Sequence, residues 1–197
     1  MGFDRTMSFA APDATADVVA GAVLAAGAGT RYGIPKILAE EGRWLGLAVA
    51  ALDGGGCGEI YVTQGAAHAE IPFPARGIDV PRWQGGASES VRSVLELLRA
   101  RTDVAGVLIH LVDLPSVGPE VVRAVLHASE HRRSALARAT FAGRPGHPVY
   151  IGAEHFGPVL GALAGDRGAG PYLTARADVI EVPCDHLGDG ADQDYRP

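Results

Sequence analysis

A glycine-rich stretch that carries two cations is the first feature of this sequence that could do chemistry. Gly27, Gly29 and Gly33 follow a short apolar run, and Arg31 and Lys36 lie among and just after them. Glycines let backbone N–H groups approach phosphate oxygens closely, and fixed cations neutralise phosphate charge. The spacing G-x-G-x-x-x-G departs from the dinucleotide-binding fingerprint, and no P-loop Gly-Lys-Ser/Thr is present. The stretch predicts a phosphate-binding loop of another kind; a flexible turn with two solvated charges is the alternative.

A second candidate is Asp113, the carboxylate that ends the most apolar segment of the chain, residues 107–112. A carboxylate at the carboxyl end of a parallel strand lies at the edge where α/β sheets bind ligands. Mg²⁺ takes carboxylate and phosphate oxygens together as ligands. Aspartate is also a common turn residue, and Pro115 follows two positions later. Asp113 is therefore either a metal ligand or a turn residue.

The elements that must position these residues alternate along the chain. Short apolar runs rich in β-branched residues predict strands over 18–24, 59–63, 107–112, 135–141, 148–151 and 179–182, with a further strand between 77 and 83. Helical spacing of apolar residues predicts helices over 44–52, 88–99, 119–131 and 154–164, the second with Ser88 as its N-cap. The pattern predicts an α/β fold, a single-domain Rossmann-like architecture whose mostly parallel twisted sheet carries helices on both faces.

Length and composition bound the function. The 197 residues, 47% hydrophobic and 20% charged, suit one globular domain over 18–197 after a flexible N-terminus, 1–17. A net charge of −6 argues against broad nucleic-acid binding, which needs a basic face. No apolar run is long enough for a bilayer, and Cys57 and Cys184 form no disulfide framework. We expect a cytoplasmic protein without membrane or nucleic-acid partners.

The motifs together resemble a known family, the MobA-like NTP transferases. Residues 24–36, Leu24-Ala25-Ala26-Gly27-x-Gly29-x-Arg31-x-Gly33-x-Pro35-Lys36, resemble its nucleotide-binding signature LAAGxGxRxGxPK. Residues 113–115 resemble its metal motif D-[ML]-P. Residues 143–149, with the sequence GRPGHPV, and residues 165–169, with the sequence GDRGA, resemble segments of the molybdenum cofactor cytidylyltransferase (MocA-type) branch. The resemblance implies a nucleotide-diphospho-sugar transferase-like fold.

The resemblance implies roles for individual residues. The backbone from Leu24 through Ala25 and Ala26 to Gly27 would hold base and ribose, and the stretch from Gly27 through Gly29 to Arg31 would wrap the triphosphate. Arg31 would bind its β/γ end and Lys36 its α-phosphate, while Ser88 and Ser90 would lie near the base. The Ala at position 26 favours CTP over GTP, because family members with LAAG tend to use CTP.

The metal site implied by the resemblance contains Mg²⁺ on Asp113 and a C-terminal carboxylate. The family's usual ending, D-I-D-T-P-E-D, is reduced here to Asp192-Gln193-Asp194-Tyr195. Asp194 or Asp192 is expected to complete the site, with Asp185 and Asp189 as rivals. Tyr32 also departs from the family, which usually has Met there.

The acceptor implied by the resemblance is a molybdopterin-type phosphorylated molecule, held by Arg144 and His147. His147 lies between Gly146 and Pro148, on an expected turn, where it could contact a phosphate or serve only to shape the turn. A cytidylated cofactor would pass to a xanthine dehydrogenase-type molybdoenzyme or its chaperone. Trp44 and Trp83 are expected to be packing residues.

Three alternatives remain open from the sequence. One is the same chemistry with GTP, on molybdopterin or another phosphorylated small molecule. Another is a non-catalytic nucleotide- or cofactor-binding protein, which the reduced C-terminal acidic motif favours. The third is a dinucleotide binder, which the glycine spacing and Lys36 disfavour.

Overall fold

A mostly parallel sheet of seven strands forms the centre of the computed structural model, which describes residues 17–195. Its strand order is β3-β2-β1-β4-β6-β5-β7. The strands are β1 (Val18–Leu24), β2 (Glu59–Gln64), β3 (Arg76–Asp79), β4 (Val104–Leu111), β5 (Leu136–Phe141), β6 (Arg144–Gly152) and β7 (Val179–Pro183). Strand β6 alone runs antiparallel to its neighbours, β4 and β5. The predicted α/β architecture is confirmed.

Four of the five helices lie where the apolar spacing predicts them, and the short helix α5 was not predicted. Within the described part of the chain they are α1 (Arg43–Gly55), α2 (Ala87–Leu98), α3 (Pro119–Ser129), α4 (Phe156–Ala162) and α5 (Gly170–Thr174). Side chains of α1 and α3 pack on one face of the sheet, and those of α2, α4 and α5 pack on the other. The sheet is therefore covered on both faces, as the apolar strands require.

Three local predictions are wrong. Ser88 is not the N-cap of α2, because the helix begins at Ala87 and Gly86 occupies the cap position with a φ of 90°. Trp83 lies in a 3-10 turn, Trp83–Gly85, and not in a strand, because β3 already ends at Asp79. His147 lies within a strand, because the residues around it pair with β4 and β5.

The candidate residues lie together at one edge of the sheet because of the position of β1. β1 pairs in parallel with β2 on one side and β4 on the other, so their carboxyl ends lie side by side. The glycine-rich loop leaves β1 there, and Asp113 follows β4. Between residues 17 and 195, no helix is long and apolar enough to cross a membrane. The predicted N-terminal segment, 1–17, lies outside the described residues apart from Asp17.

Candidate active site

The glycine-rich loop leaves β1 through a turn held by its neighbours. The Ala25 N–H donates to Thr63 Oγ1 of β2 over 3.0 Å, and the Ala66 N–H donates to the Ala26 carbonyl over 2.9 Å. Gly29 has a φ of 61°, and a Cβ there would collide with the Ile34 carbonyl. The left-handed turn and the close approach of the backbone both require glycine at that position. The loop is therefore a turn of defined backbone conformation, which places Arg31 and Lys36 at defined positions.

Lys36 lies between two carboxylates from distant parts of the chain. Its Nζ donates to Asp113 Oδ2 over 2.6 Å and to Asp194 Oδ1 over 2.9 Å. The side chains of Lys36, Asp113 and Asp194 are only 14, 17 and 29% exposed. Arg31 Nη1 donates to the other oxygen, Asp194 Oδ2, over 2.8 Å, but its side chain is largely exposed. We call these four residues the acid–base cluster.

The charges of the acid–base cluster support one another. Partial burial by itself would lower the pKa of Lys36, but hydrogen bonds to Asp113 and Asp194 outweigh it and leave this pKa above its ordinary value. The hydrogen bond from Lys36, followed by that from Arg31, lowers the pKa of Asp194. The hydrogen bond to Asp194 raises the pKa of Arg31. At neutral pH the cluster holds two cations and at least one carboxylate, Asp194, in its charged form.

The C-terminal segment, residues 184–195, runs along the same edge and carries Asp194 to the cluster. Its Gln193 N–H donates to the Asp113 carbonyl over 3.0 Å. Asp189 accepts from the Ser116 hydroxyl over 2.7 Å, and Asp185 accepts from the Ala142 N–H. These contacts engage Asp185 and Asp189 elsewhere, so that Asp194 is the C-terminal carboxylate beside Asp113. Asp192 makes no ion pair within the described residues, although its charge acts on Arg31.

A cleft of about 500 Å³ opens beside the acid–base cluster. Its floor is the backbone from Leu24 to Thr30, with Leu111 and Val112 from the end of β4. All four cluster residues line it. Most of the predicted nucleotide-binding residues therefore share one cavity, large enough for a nucleotide-sized ligand.

The opposite wall of the cleft is formed by the start of α2 and the turn before it. Trp83, Gln84, Gly86 and Ser90 line the cleft, whereas Ser88 is buried behind it with no hydrogen-bond partner for its Oγ among residues 17–195. Trp83 lines a ligand cavity and is not a simple packing residue, unlike Trp44, which is buried against Tyr32.

The two predicted acceptor residues lie on β6, at the same edge. Arg144 is exposed at the β5–β6 hairpin, opposite Phe141, and forms no ion pair inside the described range. His147 Nδ1 lies 3.2 Å from the Ile109 carbonyl, to which it can only donate. Burial lowers the pKa of His147, against smaller opposing effects of this hydrogen bond and of Asp113. His147 is thus held neutral, and its Nε2 is an acceptor.

A second histidine, His110, is buried beside this part of the site. His110 of β4 is fully buried, and neither of its ring nitrogens has a partner among the residues that the structure describes. Burial, together with the neighbouring His147, lowers the pKa of His110 to about 3. His110 is therefore a neutral core residue directly beneath the acceptor side of the site. His110 lies in an apolar strand, and nothing in the sequence around it indicates a function.

The sequence matches the model of a known protein family. Residues 21–179, well over half of the chain, match the MobA-like NTP transferase domain. The chain belongs to this family. The MobA-like chain is therefore a nucleotidyltransferase whose substrate is a nucleoside triphosphate, as its motifs predict.

This MobA-like chain is similar to one curated protein in sequence and to several solved structures in fold. The nicotine blue oxidoreductase of Paenarthrobacter nicotinovorans is 29% identical over 193 residues, covering 89% of this chain and 92% of the relative. The crystal structure of Rv0371c from Mycobacterium tuberculosis is 26% identical, with a TM-score of 0.71, covering 92% and 95% of the two chains. A manganese complex of Rv0371c is similar with a TM-score of 0.63 at 24% identity, covering 84% and 88%.

Proposed function

We propose that the protein transfers CMP from CTP to the phosphate of a molybdopterin-type acceptor and releases pyrophosphate. The observation that carries the proposal is the acid–base cluster beside the glycine-rich loop, in one cleft. Two cations there can balance a triphosphate, and two carboxylates there can share a metal ion with it. Ala26 on the cleft floor supports CTP through the family resemblance, and the segment with Arg144 and His147 supports the MocA-type branch.

The acid–base cluster fits a hard divalent cation such as Mg²⁺. Asp113 and Asp194 already converge on one cation, the Lys36 ammonium. No group of three or more His, Cys, Asp or Glu among residues 17–195 could hold a metal alone, so the remaining ligands would be phosphate oxygens and water, as Mg²⁺ prefers. Asp113 and Asp194 would hold the ion, which supplies charge neutralisation at the phosphates. The manganese complex of Rv0371c supports a divalent metal.

The reaction needs positioning more than proton transfer. An acceptor phosphate oxygen attacks the α-phosphorus of CTP, a new P–O bond forms, and the bond from this phosphorus to the bridging oxygen breaks to release pyrophosphate. The nucleophile is already anionic, so no general base is required. We propose that Lys36 leaves its carboxylates to contact the α-phosphate, where its charge stabilises the transition state. Arg31, which is exposed, holds the β/γ end.

Arg144 and His147 would have different roles on the acceptor side. Arg144 has an unpaired guanidinium among the described residues and would bind the acceptor phosphate. His147 is neutral and offers Nε2 as an acceptor, so it suits an N–H or O–H group of the acceptor better than its phosphate.

A pyrophosphate-release screen tests the proposal. Each of the four NTPs is paired with Mo-molybdopterin and with several phosphorylated acids, with and without Mg²⁺. We expect release with CTP, Mo-molybdopterin and Mg²⁺ together, and a loss of orders of magnitude in Asp113→Ala. Asp53→Ala, which removes an exposed carboxylate at the far end of α1, is the matched control and should retain activity. Release with GTP only would overturn the nucleotide assignment, and binding of CTP without release from any acceptor would indicate a binding protein.

A second candidate function comes from the relative named an oxidoreductase, which matches over nearly the whole chain. In this alternative the cleft would hold a nicotinamide dinucleotide that delivers a hydride to an organic substrate. The screen therefore includes NADH and NADPH oxidation with organic electron acceptors. Hydride transfer without pyrophosphate release would favour this alternative over nucleotidyl transfer.

A further inference from the structure

Asp166 is a carboxylate in the cleft to which neither the mechanism nor the resemblance gives a role. It lies in the 3-10 turn Gly165–Arg167 and lines the cleft on the α2 side. Its Oδ1 lies so close to Gly86 that a Cβ at Gly86 would collide with it. Gly86 has a φ of 90° and directly precedes α2. The absence of a side chain at Gly86 is thus what allows the carboxylate to reach the cleft wall.

Asp166 has no partner in this position. Its carboxylate forms no hydrogen bond or ion pair with any other residue between 17 and 195. The two cations of the cleft, Arg31 and Lys36, are both bound to Asp194. A free carboxylate repels a triphosphate, and therefore the phosphates must lie at the cations and another part of the nucleotide must meet Asp166.

The neighbours of Asp166 identify that part as the base. Trp83, Gln84 and Ser90 line the same wall. They contribute an indole ring, an amide and a hydroxyl group, and none of them is a cation. Trp83 packs against Gly65 close to the Ala26 carbonyl, so the wall and the cleft floor meet there. An aromatic ring and uncharged polar groups suit a planar heterocycle. A carboxylate at its rim can only accept hydrogen bonds.

We infer that Asp166 accepts a hydrogen bond from the exocyclic amino group of the nucleobase and thereby selects CTP against UTP. This inference rests on the proposed function, which assigns the cleft to CTP. Cytosine presents an amino donor at position 4, whereas uracil presents a carbonyl acceptor there. The same carboxylate that binds cytosine repels that carbonyl. Asp166 is exposed in the empty cleft, and a bound base would cover it, so that the wrong base would leave its groups unpaired.

Two substitutions at Asp166 separate base recognition from charge. Asp166→Ala removes the acceptor, and Asp166→Asn keeps the shape and one acceptor oxygen but adds an N–H that can donate to the uracil carbonyl. Both remove one negative charge, so any general strengthening of triphosphate binding is common to both and cancels in a ratio. Asp53→Asn is the control, because it removes the same charge from the opposite edge of the sheet.

The measurement is the ratio of CTP to UTP affinity by calorimetry, with the ratio of kcat/KM for pyrophosphate release beside it. We expect a CTP preference in the wild type that falls roughly 10- to 100-fold in Asp166→Ala and also falls in Asp166→Asn, whose amide can accept from cytosine as well as donate to uracil. Asp53→Asn should leave it unchanged. A CTP:UTP ratio within about twofold of wild type in both Asp166 variants would overturn the inference.

A second nucleotide pair distinguishes failure of this inference from failure of the proposed function. If the protein binds GTP and not CTP, the proposed nucleotide is wrong, and GTP is compared with ITP, which lacks the 2-amino group. A GTP:ITP preference that Asp166→Ala removes would support recognition of an amino group by Asp166. A preference that both Asp166 variants keep would contradict it.

Discussion

At each of two opposite edges of the sheet, a cluster contains one cation that lies between two carboxylates. At the carboxyl ends of the strands, Lys36 bridges Asp113 and Asp194. At the amino ends, Arg101 bridges Glu59, at the start of β2, and Asp103, just before β4. Each links chain segments that are far apart in sequence. By connectivity alone the two clusters are alike, although Arg31 adds a second cation to the acid–base cluster.

Their surroundings differ in ways that decide what each can do. The Arg101 guanidinium donates four hydrogen bonds, two to each carboxylate, which uses most of its donors. Lys36 donates only two, inside a cleft lined by a glycine-rich backbone. An ammonium is a point charge that can exchange partners, whereas a forked guanidinium is held by geometry. An ion-pair cluster becomes a candidate active site when a ligand can reach it and replace one of its partners.

The largest expected effect is the loss of turnover in Lys36→Ala. Removing the charge that stabilises the α-phosphate should lower kcat/KM for pyrophosphate release by about 100- to 1000-fold. Arg101→Ala is the matched variant of the other cluster, and it should keep activity within about twofold while lowering the melting temperature by about 2–4 °C. Steady-state kinetics and thermal unfolding of both proteins measure this difference. Equal losses of activity in the two variants would mean that both clusters only stabilise the fold.

A smaller effect is expected along the C-terminal segment. Asp194→Ala should raise the Mg²⁺ concentration needed for half-maximal activity by about 10- to 100-fold, since it removes a proposed ligand. Asp189→Ala loosens the same segment by removing its contact with Ser116 but leaves the ligand in place. Metal titrations of pyrophosphate release compare them. An equal shift in both variants would show that the position of the segment matters and the carboxylate itself does not.

The glycine-rich loop, Asp113 and the layered sheet can be predicted from the sequence. Glycines, Arg31 and Lys36 lie within ten residues of one another, and Asp113 ends a strand that is apolar throughout, so local pattern locates them. Alternating apolar strands and helices predict the layered sheet for the same reason: burial on both faces leaves a periodic signature. The bounds of β6 were missed, because Pro145 and Pro148 in its first half disfavour a strand by local propensity.

Other features depend on tertiary contacts that have no local signal. Among Asp185, Asp189, Asp192 and Asp194, spacing alone does not show which one meets Lys36; hydrogen bonds to Ala142 and Ser116 engage two of them. Asp166 reaches the cleft only because Gly86, eighty residues earlier in the chain, leaves room for it. Trp83 was misjudged because an aromatic residue gives the same signal in a core as in a cleft.

The smallest expected effect concerns pH, and it separates the two clusters by their response to ligand. Hydrogen bonds from Lys36 and Arg31 lower the pKa of Asp194, and hydrogen bonds from Arg101 and Tyr61 lower that of Glu59. A carboxylate with a lowered pKa contributes stability that is fully present above its ordinary pKa and is lost as pH falls through its folded value. The melting temperatures of Asp194→Asn and wild type should therefore differ at pH 6 and converge as pH falls below 3.8, the ordinary pKa of aspartate.

Glu59→Gln should behave in the same way, with convergence below the ordinary glutamate pKa of 4.5. Saturating CTP and Mg²⁺ at pH 6 then distinguish the clusters. A ligand that binds only the folded state adds stability according to its affinity, and Asp194→Asn weakens that affinity, so the gap between this variant and wild type should widen. The gap for Glu59→Gln should stay constant, because that cluster has no contact with the cleft. Thermal unfolding with and without ligand measures both gaps, and equal widening would contradict a special role for Asp194.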